Sequence, residues 1–358
     1  MVKIFFDHSI FLHQKNGGIS KYICRLLKGF DNPSYGIKTK FFCPITVNNN
    51  ISEFKATKKF FLIKFEKIPR FCSKLFYLIN NICNLFVILF YRPDLIHLTY
   101  YNYYLTKFTK VPYVLTVHDL IHEKFFKEKN LKKKNLILNA SKIICISHTT
   151  KKELINHYKI NKQKIVVVHH GIKKNKYKNS IRKNIILYVG DRRKYKKFGK
   201  LIYAFKGSKF LMRNFHIVCF GGGDFNFNEI KIFKKFNLEK KIFLKTGNEK
   251  KLFDYYKKSK ILVYSSEKEG FGIPIIEALS VRCPVLVNDI KIFREILSDP
   301  IFFYRKNDSN SLRKKLEKLL TDQSLLKKNS EIGYKKLNNF DLKKNIISHK
   351  NIYESFLK

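Results

Sequence analysis

Tryptophan is absent, and carboxylates are scarce: 27 Asp and Glu stand against 73 Lys and Arg in 358 residues, a net charge of +46. A field that positive attracts polyanions, whether nucleic acid, anionic lipid or phosphorylated substrate. The lysines run along the whole length and form no single arm. Together with the abundance of Asn, Ile, Phe and Tyr, this reads mainly as drift toward AT-rich codons. Even an accidental field would hold the protein against an anionic membrane. Also missing is any CxxC pair, and the seven cysteines are an odd number, which argues against a disulfide framework and for reduced, mostly buried thiols in a cytoplasmic protein. There is no internal repeat, no low-complexity tail and no long uninterrupted apolar run. The least polar stretch, Leu75 to Tyr91, is uncharged but carries Asn80, Asn81 and Asn84, so it reads as a core or interfacial helix rather than a membrane span. Lysines and aromatics alternate just before it, in KKFFLIKFEKIPRFCSK. The start, MVKIFFDHSIF, meets Asp7 before a signal-type apolar region can form and reads as a first strand.

What is present is enough apolar material, 45%, for two cores of ordinary size. Short apolar runs alternate with longer amphipathic stretches, the pattern of βα units on a parallel sheet. The strands expected in the first half are Lys3–Phe6, Thr39–Cys43, Leu95–Leu98, Tyr113–Val117, Ile143–Ile146 and Ile165–Val168. In the second half they are Ile185–Val189, His216–Cys219, Ile242–Leu244, Ile261–Tyr264 and Val285–Val287. Helical patterns cover Leu201–Phe205, Glu229–Phe236, Lys250–Lys258 and Ile275–Leu279, and Pro93 stops the helix before Leu95. The polar stretch KKNKYKNSIRK breaks the pattern. The organisation expected is therefore a domain over 1–172, a linker over 173–183, a second domain over 184–340, and a C-terminal helix over 341–358 packing back on the first. Doubly wound sheets bind ligands at the carboxyl ends of their strands, where strand order reverses.

Four segments carry chemistry. In EKEGFGIPIIEALSVRCPVLV (267–287), a turn rich in glycine follows a strand and a helix opens near Pro274. Free N–H groups at such a start can hold a diphosphate. Glu269, before the helix, can accept hydrogen bonds from sugar hydroxyls, and Glu277 can grip the two hydroxyls of a ribose. Near the start, FFDHSIFLHQKNGGISKY (5–22) places Gly17 and Gly18 where a backbone without Cβ can approach a phosphate. YVLTVHDLIHE (113–123) delivers His118 and Asp119 to a strand end. ILYVGDRRKYKKFGKLIYAF (186–205) puts Arg192 and Lys196 just after a strand and a glycine turn. The weaker signals are FGGGDF (220–225), either a phosphate or base contact or a plain turn, and His169 and His170, which read as the close of a strand.

Taken together, these segments resemble the large retaining glycosyltransferases of family 4, whose E-x7-E element matches Glu269 and Glu277, and the likeness runs over nearly the whole chain. It is nearest to the branch of bacterial O-antigen and lipopolysaccharide transferases similar to mannosyltransferases. The resemblance implies an α/β GT-B fold, two Rossmann-like doubly wound domains facing across a cleft. It implies catalytic roles for His118, which contacts the transferred sugar, and for Glu269, Arg192 and Lys196, the last two on the donor diphosphate. Donor binding would fall to Gly17, Gly18, Phe271, Gly272, Ile273 and Glu277. One departure stands out: Lys197 occupies a position where this branch commonly has asparagine, and Arg193 adds a further cation. The run His118, Asp119, His122 could also be read as a metal site, but retaining members of the fold use cationic side chains where other transferases use a metal. No metal and no cofactor are therefore expected.

The function implied is transfer of a sugar, with mannose or a related sugar from a GDP-sugar preferred, to a glycan or polyprenyl-diphosphate-linked acceptor in cell-surface polysaccharide biosynthesis. The tyrosines of DLIHLTYYNYY (94–104) could line the acceptor side, and the site is expected to close over its substrates. A cytoplasmic location follows, with peripheral association at the inner face of the plasma membrane. Three other readings compete: a sugar-nucleotide epimerase on the same fold, a basic nucleic-acid-binding protein, and a degenerate partner of an active transferase. The intact motifs disfavour the first and third. No recognised RNA- or DNA-binding motif supports the second, so no nucleic-acid partner is expected.

Overall fold

A computed structural model describes residues 1–51, 63–125, 130–174, 181–192 and 194–356. They form two compact units, one of 1–171 with 342–358 and the other of 172–341. Residues 175–180 of the expected linker, and Arg193, lie outside the described residues. The expected linker runs too far at its C-terminal end. Lys183 already opens a strand, and Arg182 donates to the carbonyls of Tyr256 (2.9 Å), Ser259 (3.0 Å) and Val281 (3.0 Å) within the second unit.

In unit 1 the strands are β1 (Val2–Phe6), β2 (Ile37–Phe41), β3 (Ile45–Thr46), β4 (Ile63–Lys64), β5 (Leu95–Leu98), β6 (Tyr113–Val117), β7 (Lys142–Cys145) and β8 (Ile165–Val167). The helices are α1 (Ser9–His13), α2 (Gly18–Phe30), α3 (Ser73–Tyr91), α4 (Tyr103–Lys107), α5 (Ile121–Phe125), α6 (Leu131–Asn139) and α7 (His148–Tyr158). Six strands make one parallel sheet in the order β2-β1-β5-β6-β7-β8, and β3 and β4 pair separately. Every residue of β5 and β6 is buried, because helices cover both faces of a parallel sheet, and the strands read as short, mostly apolar runs. Along β1 the side chains part to the two faces: Val2, Ile4 and Phe6 join one cluster, Phe5 the other. The chain leaves β1 for one side of the sheet and later crosses to β5, so strand order reverses between β1 and β5.

Unit 2 repeats the scheme with β9 (Lys183–Val189), β10 (His216–Phe220), β11 (Ile242–Lys245), β12 (Ser259–Tyr264), β13 (Val285–Asn288) and β14 (Phe303–Tyr304). Its helices are α8 (Phe198–Lys206), α9 (Lys209–Asn214), α10 (Phe227–Lys235), α11 (Glu249–Lys258), α12 (Ile273–Ser280), α13 (Lys291–Ile296), α14 (Ser309–Thr321) and α15 (Gln323–Lys336). The parallel order is β11-β10-β9-β12-β13-β14, with the reversal between β9 and β12. The last helix, α16 (Leu342–Glu354), belongs to unit 1. There Ile346, Ile352 and Tyr353 enter the core beside α2 and β1. No disulfide joins the cysteines, five of which are buried.

The stretch read as a core or interfacial helix is α3, and its amides are what it buries. Asn80 both accepts from the Ile45 N–H (3.0 Å) and donates to the Ile45 carbonyl (2.8 Å), and Asn84 donates to the Phe42 carbonyl (2.9 Å). The helix ends with Arg92 in the left-handed region (φ 46°), its N–H on the Ile88 carbonyl (2.9 Å), followed by Pro93.

Candidate active site

The carboxyl edge of unit 2 gathers residues at its reversal point. Lys196 lies in the loop between β9 and α8, and Glu269 follows β12. Their side chains meet at 2.5 Å, with 12% and 11% of each exposed, and the ammonium also reaches the Tyr264 hydroxyl at 3.4 Å. Two hydrogen bonds fix the loops against each other: Glu267 N–H donates to the Tyr195 carbonyl (2.8 Å), and the Ser265 hydroxyl to the Lys196 carbonyl (2.9 Å). Burial favours a neutral lysine here, but the Glu269 carboxylate and the neighbouring phenols outweigh it. The Lys196 ammonium is held charged, its pKa well above the ordinary value. This pair is the part of the expected donor site that the structure brings together.

Arg192 behaves otherwise. Its side chain is 3% exposed, and Nε donates to Glu229 (2.8 Å). The two Nη atoms donate to the carbonyls of Gly221 (3.2 Å), Gly223 (2.9 Å) and Asp224 (2.8 Å), and the guanidinium lies over the Phe225 ring. The cause is local: Gly221, Gly222 and Gly223 all have φ between 75° and 81°, which turns successive carbonyls toward one fork of donors. A Cβ at Gly222 would sit 2.4 Å from the Gly190 carbonyl oxygen. The glycine run thus receives the arginine, and among the described residues no contact joins Arg192 to Lys196 or Glu269. Beside them, Lys197 has φ 51°, a left-handed backbone that suits asparagine, and its ammonium pairs with Glu267 at 2.9 Å.

Helix α12 opens at Gly272 (φ 125°), with Ile273 and Pro274 in its first turn. Pro274 brings no N–H, and that of Ile275 turns back to the Gly272 carbonyl (2.9 Å). Phe271 is buried. Glu277 is only 2% exposed and accepts from the Tyr256 hydroxyl at 3.1 Å. Burial, then Glu277 itself, pushes the Tyr256 phenol well up, keeping it a donor.

In unit 1, His118 follows β6 and is 6% exposed. Its ring meets Tyr22 of α2 edge-on and stacks on His170, with centroids 5.4 Å and 5.9 Å away. Burial lowers its pKa to about 3, so the imidazole is neutral, and Nε2 is buried without a partner. A neutral ring with an unsatisfied nitrogen is suited to a hydrogen bond with a ligand hydroxyl. Gly17 and Gly18 open α2, but Gly17 is extended (φ −162°), so conformation does not require glycine there. The space over it is filled by Gln14, whose Oε1 accepts the Ser20 N–H (3.2 Å) and would lie 2.1 Å from a Cβ on Gly17. His122 is exposed.

The motifs gave no sign of the buried network behind His118. Tyr22 and His349 share a 2.5 Å hydrogen bond, His97 bonds Tyr353 (2.5 Å) and Thr116 (2.8 Å), and Asp7 accepts from Thr99 N–H (2.5 Å) and Asn102 (2.9 Å). The one available signal was polar His97 and Thr116 inside the otherwise apolar strands β5 and β6.

Comparisons with known proteins agree in kind. Residues 169–336 match the family model described as glycosyl transferases group 1, and residues 16–176 match that of glycosyltransferase family 4. The O-antigen chain mannosyltransferase RfbU of Salmonella typhimurium is 28% identical over 208 residues, which is 55% of this chain and 58% of that protein, less than two thirds of the relative's length. A glycosyltransferase from Rickettsia africae superposes over 100% of this chain and 99% of its own, with a TM-score of 0.74 at 20% identity. Anabaena HepE in complex with UDP-glucose superposes over 99% and 100%, with a TM-score of 0.77 at 16% identity. These structural likenesses establish a GT-B fold.

Proposed function

The chain belongs to the glycosyl transferases group 1 and glycosyltransferase family 4, and on that footing we propose that it is a retaining, metal-independent glycosyltransferase of polysaccharide biosynthesis. Its donor is a nucleotide sugar, a GDP-linked mannose or related sugar being preferred, and its acceptor a glycan or polyprenyl-diphosphate-linked glycan. RfbU, by its name, transfers mannose to an O-antigen chain, which supports the sugar and the acceptor class.

The observation that carries this reading is the Lys196–Glu269 pair at the strand-order reversal of unit 2. As the donor departs, negative charge grows on the leaving diphosphate, and a fixed ammonium in a poorly solvated site stabilises it as a metal ion does elsewhere. Lys196 has that character, since its charge is secured by Glu269. The carboxylate then faces the sugar, whose hydroxyls donate to it. In unit 1, His118 accepts or donates a hydroxyl hydrogen bond through its neutral ring. The motifs hold no evident covalent nucleophile, so attack by the acceptor hydroxyl on the face the diphosphate leaves, through an oxocarbenium-like state, accounts for retention. Arg192 acts here by shaping the 190–192 and 221–224 loops, and Gln14 stands where a phosphate oxygen would meet the start of α2. Peripheral membrane association at the inner face of the plasma membrane follows from the lipid-linked acceptor and the basic surface.

Thermal melts with GDP-, UDP-, ADP- and dTDP-sugars, with and without magnesium, test the reading. A ligand at 100 times its dissociation constant stabilises by about 2.7 kcal/mol. One nucleotide class should raise the melt without metal. If no sugar nucleotide does and an oligonucleotide does, the transferase reading fails and the charge becomes the functional feature.

A further inference from the structure

We propose that the outward face of α3, continued by α4 and the start of α6, is a docking surface for an anionic lipid bilayer, with α3 lying in the headgroup plane. The inference rests on the membrane-linked acceptor in the proposed function, and it names the surface that function would use.

Helix α3 is turned inside out. A helix at the surface of a soluble protein buries its apolar stripe and offers polar residues to water. Here the fully buried positions are Asn80, Asn81, Asn84 and Ile88. Leu75, Leu78, Ile82, Phe86, Leu89 and Phe90 are all exposed, Phe86 at 59% and Phe90 at 82%. At about 100° per residue these six share one side of the helix, opposite the asparagines. The helix cannot roll to hide that side. Asn80 and Asn84 are bonded to backbone at Ile45 and Phe42, Asn84 Oδ1 meets His8 Nδ1 at 3.1 Å, and Asn81 Oδ1 accepts from Asn102 at 3.0 Å. By length and composition α3 could cross a membrane. The same anchors argue against crossing, because leaving unit 1 would strand three side-chain amides, which make five hydrogen bonds there, in hydrocarbon.

Neighbouring elements extend the patch. Helix α3 packs on α4 and α4 on α6, and these bring exposed Phe108 and Leu131. Exposed Lys74 and Arg92 flank the stripe at its two ends, and Lys107 and Lys132 lie over the rings of Phe108 and Tyr103. From Ile63 to Arg92 five basic residues stand against one carboxylate, Glu66. An apolar stripe rimmed by cations, with lysine stems able to reach up to phosphates, matches an anionic membrane interface. Charge also decides between occupants. A second copy of a chain carrying +46 would meet this face with like charge, whereas anionic lipid meets it with opposite charge.

The test is flotation of the full chain with vesicles of phosphatidylcholine alone and with 30% phosphatidylglycerol, at low and high salt. Wild type should float with the anionic vesicles, less so in high salt. The double variant Phe86→Glu, Leu89→Glu should lose at least tenfold in affinity, while Ile181→Glu, an exposed control in unit 2, should not. Melting curves should stay the same, since both side chains are in solvent. Binding by the double variant equal to wild type overturns the proposal, as does failure of wild type to float, or equal binding to both vesicle types. A dimer that the double variant dissociates would also overturn it, assigning the face to a second copy. Sugar-nucleotide melts on the same proteins keep the two claims apart. Vesicle binding without any donor shift removes the transferase reading and leaves the docking surface standing, and the reverse pattern does the opposite.

Discussion

Replace Lys196 with methionine and Glu269 with leucine, singly and together. At 2.5 Å, a pair in a medium of effective dielectric near 20 attracts by roughly 7 kcal/mol before any cost is counted. Most of that gain offsets the desolvation of two side chains that are each nearly nine-tenths covered. The pair should therefore add little net stability, while each single change leaves one buried charge uncompensated. We expect each single variant to lose about 3–5 kcal/mol, and the double variant to fall within about 1 kcal/mol of the parent. The coupling in a double-mutant cycle would then be several kcal/mol, far above the value for solvent-exposed pairs. Urea melts of the full chain read the stabilities, and donor-induced thermal shifts read the site. All three variants should lose the donor response, including the double variant that folds well. Additive losses would mean the two charges do not sense each other. A double variant that still binds donor would remove the pair from the chemistry. The predicted split is the signature of a charge pair retained for its ligand rather than for the fold.

Two further expectations follow, beside the donor melts and the vesicle flotation. Arg192→Lys keeps the charge but cannot reproduce a fork that serves Glu229 and three carbonyls. Urea melts should show a loss of about 2–4 kcal/mol, and parental stability would refute the clamp. Stability should also fall on acidification below pH 6.5, because burial holds His118 near 3 and His349 near 4, lower than in the unfolded chain. The unfolded state binds protons that the folded state refuses, so between about pH 6 and 4 these two contribute a slope of up to roughly 2.7 kcal/mol per pH unit, which His118→Gln should reduce.

The sheets were legible because central parallel strands are buried on both faces. LIHL and YVLTV are therefore short, mostly apolar runs, interrupted only by His97 and Thr116, that need no periodicity to be seen. Their ends shifted by a residue or two. Thr39–Cys43 proved to be Ile37–Phe41, and the two-residue strands β3, β4 and β14 are too short to leave a pattern. The existence of α3 could be read but not its orientation, since hydropathy records that amides interrupt an apolar helix without saying which way they point. The diphosphate role expected of Arg192 comes from the resemblance to the family. That FGGGDF would fold over the arginine depends on β10 lying beside β9, a fact of topology. The network behind His118 joins Tyr22 to His349 and His97 to Tyr353, across separations of 327 and 256 residues that no local pattern can register.

The charge imbalance, read at first as drift, divides once partners are assigned. Drift deposits lysines in solvent. The loop between β9 and α8 is different: Arg192, Lys196 and Lys197 are matched to Glu229, Glu269 and Glu267. In a chain with only 27 carboxylates, three are committed to one loop. These pairs neutralise Arg192, Lys196 and Lys197, so the attraction of a diphosphate to those three cannot rest on unpaired positive charge alone. On the proposed reading a diphosphate would gain there by exchange, taking the Lys196 ammonium from Glu269 and releasing that carboxylate to the hydroxyls of the sugar. Such an exchange favours a ligand that carries both groups at once over free phosphate, which supplies only the first. On that reading, discrimination between a nucleotide sugar and other polyanions would come from carboxylates rather than from the abundant lysines.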